Sequence, residues 1–100
     1  MPCRIVLTAA AKADILDALD WYSERAPTVI PLIRAAQRGT FRRIATNPQQ
    51  FPAGAENTRH ALLRQFPYVV VFRVADNTAY IIAFFHTSRD PRHWQRRASL

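Results

Sequence analysis

The order of apolar periodicities along these 100 residues predicts an α+β domain. From Ala9 to Arg25, the residues Ala11, Ile15, Ala18, Leu19 and Tyr22 fall on one stripe at helical spacing. Near the other end, Tyr68 to Val74 and Ala79 to Thr87 are runs of Val, Ile and Phe, too short for typical helices and rich in strand formers. Between those runs lies a polar turn, Ala75 to Thr78. The resulting order β-α-α-β-β-β predicts a helical hairpin packed on one face of a small, mostly antiparallel sheet, with a short helix at the C-terminal end.

Each element has its own local reason. Arg4 to Thr8 is a short β-branched run, and Thr8 can cap the helix that follows it. Pro27 closes that first helix; Thr28 is the expected cap of a second, in which Pro31 is tolerated in the first turn. The second helix carries Ile33, Ala36, Gln37, Thr40, Phe41 and Ile44 as its inner stripe and stops at Asn47, because Pro48 forbids continuation. Small residues Ala35, Ala36 and Gly39 suggest close approach of the first helix. Residues Pro48 to Asn57 read as loop and Arg59 to Arg64 as strand. Nearly continuous apolar character puts the last two strands at the centre of the sheet. Ser88-Arg89-Asp90-Pro91 then forms a turn, with Asp90 capping a short helix from Arg92 to Arg97.

Composition narrows the class. One small domain covering residues 1–100 is expected, burying roughly two-thirds of its unfolded surface. No apolar run reaches the roughly 18 residues that span a membrane. The segment from Met1 to Leu19 turns acidic too early for a signal peptide, so cytoplasmic residence is the expectation. Cys3 is the single cysteine, which excludes an intrachain disulfide and a cysteine-based metal site. The net charge of +7 is spread over both halves of the chain and favours encounter with nucleic acid or an acidic protein.

The chemistry-bearing residues crowd into the stretch from Arg64 to Arg97. There is no HExxH, paired CxxC or glycine-rich phosphate loop, so no metal and no cofactor is implied. The carboxylates Asp14, Asp17, Asp20 and Glu24 read as a solvated helix face. His60, beside Arg59 at a strand start, reads as exposed. His86 closes the last strand, where an imidazole either serves function or holds the bend. Arg64, Arg73, Arg89, Arg92, Arg96 and Arg97 are forked donors suited to phosphate or carboxylate. Arg89 stands out because it sits in a fixed turn, although Asp90 equally pairs with Arg89 or Arg92 as a brace. Trp94 is read as packing on the sheet in preference to stacking on a base.

Two strings, R-x-F-P-Y-x-V-x-F-R-V from Arg64 and I-I-A-F-F-H-x-x-R-D-P-x-x-W-x-x-R from Ile81, resemble the C-terminal signature of the ParE/RelE toxin superfamily. These are the toxin halves of bacterial type II toxin–antitoxin modules, often called plasmid stabilization proteins. The likeness extends through the first strand, the helix bearing Trp21-Tyr22 and the N-P-x-x-F-P loop from Asn47. It implies the βααβββ fold, and a cognate antitoxin whose acidic, extended segment wraps the toxin and orders on binding. Operator DNA would be reached only through that antitoxin, and no membrane is involved.

The superfamily has two activities. RelE-like members cut mRNA on the ribosome without a metal, using Arg, Lys, His or Glu and often a Tyr near the C-terminus; ParE-like members lack that set and inhibit DNA gyrase. Here the only lysine is Lys12, Thr87 follows His86 where some nucleases carry Tyr, and no tyrosine lies beyond Tyr80. The resemblance therefore implies the ParE-like branch, without catalytic residues. Its target- or antitoxin-binding residues would be Arg64, Tyr68, Arg73, His86, Arg89, Arg92, Trp94 and Arg96. The alternative is a ribosome-dependent endoribonuclease acting on mRNA through Arg64, His86 and Arg89, or a non-toxic relative that only binds antitoxin.

Overall fold

In the computed structural model, residues 2–88 and 92–99 are described, the side chains of His93, Trp94 and Ser99 excepted. Strands β1 (Arg4–Leu7), β2 (Arg59–Leu62), β3 (Tyr68–Ala75) and β4 (Thr78–His86) form one sheet in the order β1-β4-β3-β2. The two long apolar strands take the centre, as their composition requires. β3 pairs antiparallel with both β2 and β4, whereas β1 joins β4 in parallel. A parallel neighbour needs a long crossover, and everything between β1 and β4 supplies it.

Thr8 turns the chain from β1 into helix α1 (Ala9–Arg25). Its amide and its hydroxyl both donate to the Ile81 carbonyl, at 3.1 and 2.8 Å, while its Oγ1 accepts the Ala11 amide at 3.2 Å. One residue thus extends the β1–β4 pairing and caps the helix. Helix α2 (Ile30–Thr46) begins later than the sequence suggested. Pro27 to Val29 wind into a 3-10 turn, Thr28 lies inside it, and no side chain caps α2. Pro31 in the first turn removes one of the amides a cap would have served. The stretch after Pro48 holds two more 3-10 turns, Pro48–Gln50 and Ala55–Asn57.

α1 and α2 cover one face of the sheet. Ala11, Ile15 and Ala18 of α1 and Ile33 and Ile44 of α2 close over Val70, Phe72, Ile81 and Phe84. On the other face Ala98 of helix α3 (Arg92–Ser99) packs with Val71 and Ala83. The predicted end at Arg97 falls two residues short, and the predicted Asp90 cap lies outside the described residues. Between these layers, Val71 faces Ala83 but Phe72 faces Ile81, so Ile82 is an extra residue in β4. This bulge re-aims the strand just where β1 stops.

Two connections show local chemistry at work. Asp76 and Asn77 have φ of 51° and 59° between the paired residues Ala75 and Thr78. Positive φ at both central positions makes the tight primed hairpin turn whose twist suits the strands, and Asp and Asn tolerate it best after glycine. β2 ends at Leu62, short of the predicted Arg64, because Gln65 adopts φ 70° and Leu63 already closes on Tyr68 through its amide (2.9 Å).

Gly39 overturns an expectation. A Cβ built there would meet nothing within 4 Å, so it does not admit a neighbouring helix. It only loosens α2. Gly39→Ala should therefore raise unfolding stability by about 1 kcal/mol, measured by urea denaturation; an unchanged or lower midpoint would show that the space is needed.

Candidate partner-binding edge

The site suggested by sequence begins on an aromatic stack. Tyr68 opens β3 and faces His86 at the end of β4. The Tyr68 ring stacks on Phe84 at 4.8 Å with 5° between planes, and meets His86 edge-on at 5.4 Å. Tyr22 of α1 leans on the same ring and on Phe66. Tyr68 is buried by this packing, which anchors the imidazole to the core. His86 Nδ1 accepts the Ser88 amide at 3.1 Å and lies 2.8 Å from Ser88 Oγ. Accepting that amide puts the proton of the neutral ring on Nε2. The Thr87 amide donates to Pro67 O at 2.8 Å, pinning the β4 exit to the start of β3. The imidazole holds the bend.

The arginines divide by what they touch. Arg73 projects from the α3 side of β3, half-buried, and its Nη2 donates to the carbonyls of Glu56 and Ala98 (2.8 Å to the latter). It ties α3 and the Ala55–Asn57 turn to the sheet. Arg64 is exposed in the β2–β3 connection, and Arg92 and Arg96 are exposed on α3. Arg89 lies outside the described residues, as does the Trp94 side chain. His86 and the described arginines thus sit around the β4 exit and α3, with Arg64 across the β2–β3 loop. No group of three or more His, Cys, Asp or Glu converges among the described residues.

The strongest polar contact of this region joins two residues that the sequence reading kept apart, Arg97 among the forked donors and Asp14 on a solvated helix face. Arg97 of α3 grips Asp14 of α1, with Nη1–Oδ2 at 2.6 Å and Nη2–Oδ1 at 3.1 Å. Nη1 also donates to Ile82 O at 3.2 Å, and Asp14 Oδ2 accepts the Phe84 amide at 3.0 Å. The hydrogen bond to Asp14 raises the Arg97 pKa above its ordinary value. Asp14 therefore leaves the solvated face assigned to it with Asp17, Asp20 and Glu24, whose side chains are exposed. The signal was present: position 14 is three after Ala11 and four before Ala18, so it lies on the buried stripe.

A comparison with known proteins places this architecture. Residues 5–91 match the family model described as ParE toxin of type II toxin-antitoxin system, parDE. The chain belongs to the ParE toxin family. It is 28% identical over 92 residues to Toxin ParE2 of Mycobacterium tuberculosis, from both the CDC 1551 / Oshkosh and the H37Rv strains, covering 91% of this chain and 88% of the relative. Its fold is similar to a chain of the solved structure titled Chromosomal ParDE TA system from P. aeruginosa, with a TM-score of 0.70 and 22% identity over 84% of this chain and 95% of that one. The family match stops one residue before α3. In this ParE-family chain, Arg97 and its hold on Asp14 come from beyond the matched span.

His60 also departs from the sequence reading. It is half-buried on β2, with Nε2 3.3 Å from Thr58 Oγ1, and burial lowers its pKa. Its ring occupies the space over Gly54, where a Cβ would come within 2.4 Å of Nε2.

Two outcomes follow from this geometry. Asp14→Ala should cost about 2 kcal/mol, since it strands the Phe84 amide and a half-buried guanidinium; Asp17→Ala, on the exposed face, should change the urea midpoint little. For His60 the folded-state pKa lies below the unfolded value of 6.5, so the unfolded state binds more protons between the two. The neutral ring's contribution is complete above pH 6.5 and fades as pH falls toward the folded pKa. The melting temperature should therefore drop on acidification through that window, and His60→Gln should flatten the drop.

Proposed function

We propose that this chain is the toxin of a type II module that acts by binding, with DNA gyrase as its target, and that an acidic antitoxin neutralises it in the cytoplasm. Membership of the ParE family carries the reading. The state of the imidazole supports it: a general base needs a ring nitrogen directed at its substrate, and His86 Nδ1 is committed to Ser88. Tyr68 and Arg73 are frame residues in this reading, one within the aromatic stack and one bonded to backbone carbonyls. Contact with target or antitoxin falls to the edge that carries Arg64, His86, Arg92 and Arg96, with Arg89 and Trp94 joining them from the sequence reading alone. Cations there suit carboxylates on either partner, and among the described residues no helix is long and apolar enough to cross a membrane.

Induction of the chain alone should stop growth, raise the SOS response and leave mRNA intact, and the purified chain should block supercoiling by gyrase. Arg64→Glu with Arg96→Glu should weaken that block at least tenfold while the fold persists. Prompt codon-linked mRNA cleavage with gyrase untouched would instead select the nuclease built on Arg64, His86 and Arg89. Harmless expression without antitoxin would select a chain that only binds antitoxin.

A further inference from the structure

The outer side of the helical hairpin carries two rows of opposite charge. On α1, Asp17, Asp20 and Glu24 are exposed at helical spacings; on α2, Arg34, Arg38 and Arg42 are exposed at intervals of one turn. Like charges so spaced destabilise each helix by about 0.2–0.5 kcal/mol per pair unless something answers them. Nothing among the described residues does so for most of them. Among the described residues Glu24 lies 3.7 Å from its neighbour Arg25, and Asp17, Asp20, Arg34, Arg38 and Arg42 take no ion pair. Large apolar side chains flank these rows on the same helices, with Leu16 61%, Trp21 49% and Leu32 57% exposed and the Arg25 guanidinium over the Trp21 ring.

A partner for this surface must present an acidic row beside a basic row. A purely acidic peptide is repelled by α1, and a nucleic-acid backbone likewise. The chain itself has the required pattern. We infer that the hairpin face is a self-complementary surface on which a second copy of this chain docks about a two-fold axis, α1 of each copy on α2 of the other. With the axis running between the helices, residues at like distances from the connecting turn meet. Asp17 then faces Arg38 of the second copy, and Asp20 faces its Arg34. Leu16, Trp21 and Leu32 border the contact on its flanks.

Area sets the strength. Two 17-residue helices are about 25 Å long and, at about 9 Å apart, present a face roughly 20 Å wide. That is about 500 Å² per copy, near the lower bound of about 1,000 Å² in total for a specific interface. The dimer is accordingly a reversible, salt-sensitive one.

Sedimentation of the full chain from 1 to 100 µM tests it, with circular dichroism to show that each variant is folded. The wild type should pass from monomer to dimer across that range at low salt and dissociate more readily at high salt. Arg38→Glu alone and Asp17→Arg alone should each weaken dimerisation at least tenfold, because each sets like charges face to face on both sides of the axis. The two together restore the facing pair with its signs exchanged and should recover the wild-type constant within about threefold. A monomer at every concentration, a dimer indifferent to the single reversals, or a double variant no better than the singles would each overturn the inference. So would capture of an acidic peptide by a chain that never pairs with itself.

Discussion

The architecture depends on how one exposed strand edge is closed. β1 pairs with β4 only as far as Ile81, and Thr8 then turns into α1. Beyond that point the β1 side of β4 has no strand to pair with among the described residues. Backbone groups left buried without partners cost about 1–3 kcal/mol each, and an open edge invites pairing with another chain. Asp14 takes the Phe84 amide, Arg97 takes the Ile82 carbonyl, and the two hold each other. One ion pair thus finishes the sheet and fastens the helices of its two faces together. Its side chains are only 34% and 18% exposed. Its worth lies in the backbone groups it satisfies more than in Coulomb attraction, which largely offsets desolvation in such sites.

That closure also decides what the C-terminal basic cluster can be. With Arg97 bound to Asp14 and Arg73 bound to the Glu56 and Ala98 carbonyls, two of its cations brace α3 against the sheet. His86 is drawn into its own turn by Ser88 and onto the core by Tyr68. Arg64, Arg92 and Arg96 are exposed on the same side of the molecule.

The hairpin on the other side follows a different logic. Its inner stripe is spent on the core, and its outer surface carries charge in separated rows with apolar side chains among them. The molecule consequently offers two chemically unlike surfaces, a cationic rim around α3 and a mixed-sign hairpin face.

Much of this was legible in the chain itself. The stripe of Ala11, Ile15 and Ala18, the apolar runs that became β3 and β4, and the Asp76-Asn77 turn are local signals, because side-chain periodicity and backbone preference act over a few residues. The strings around Phe66-Pro67-Tyr68 and His86 likewise sufficed to mark the family. Contacts across the fold were not legible. The chain's linear order says nothing of which strand ends first, so neither the bulge at Ile82 nor the unpaired edge beside it is visible there. Asp14 on the inner stripe was a hint of a buried carboxylate, but its partner stands 83 positions away. The empty space beside Gly39 and the histidine filling the space over Gly54 were equally out of reach. Sequence by itself determined the elements, the faces they bury and the family. The tertiary structure alone decided which charges are spent inside the molecule and which remain for a partner, because pairing depends on distances that only the folded chain sets.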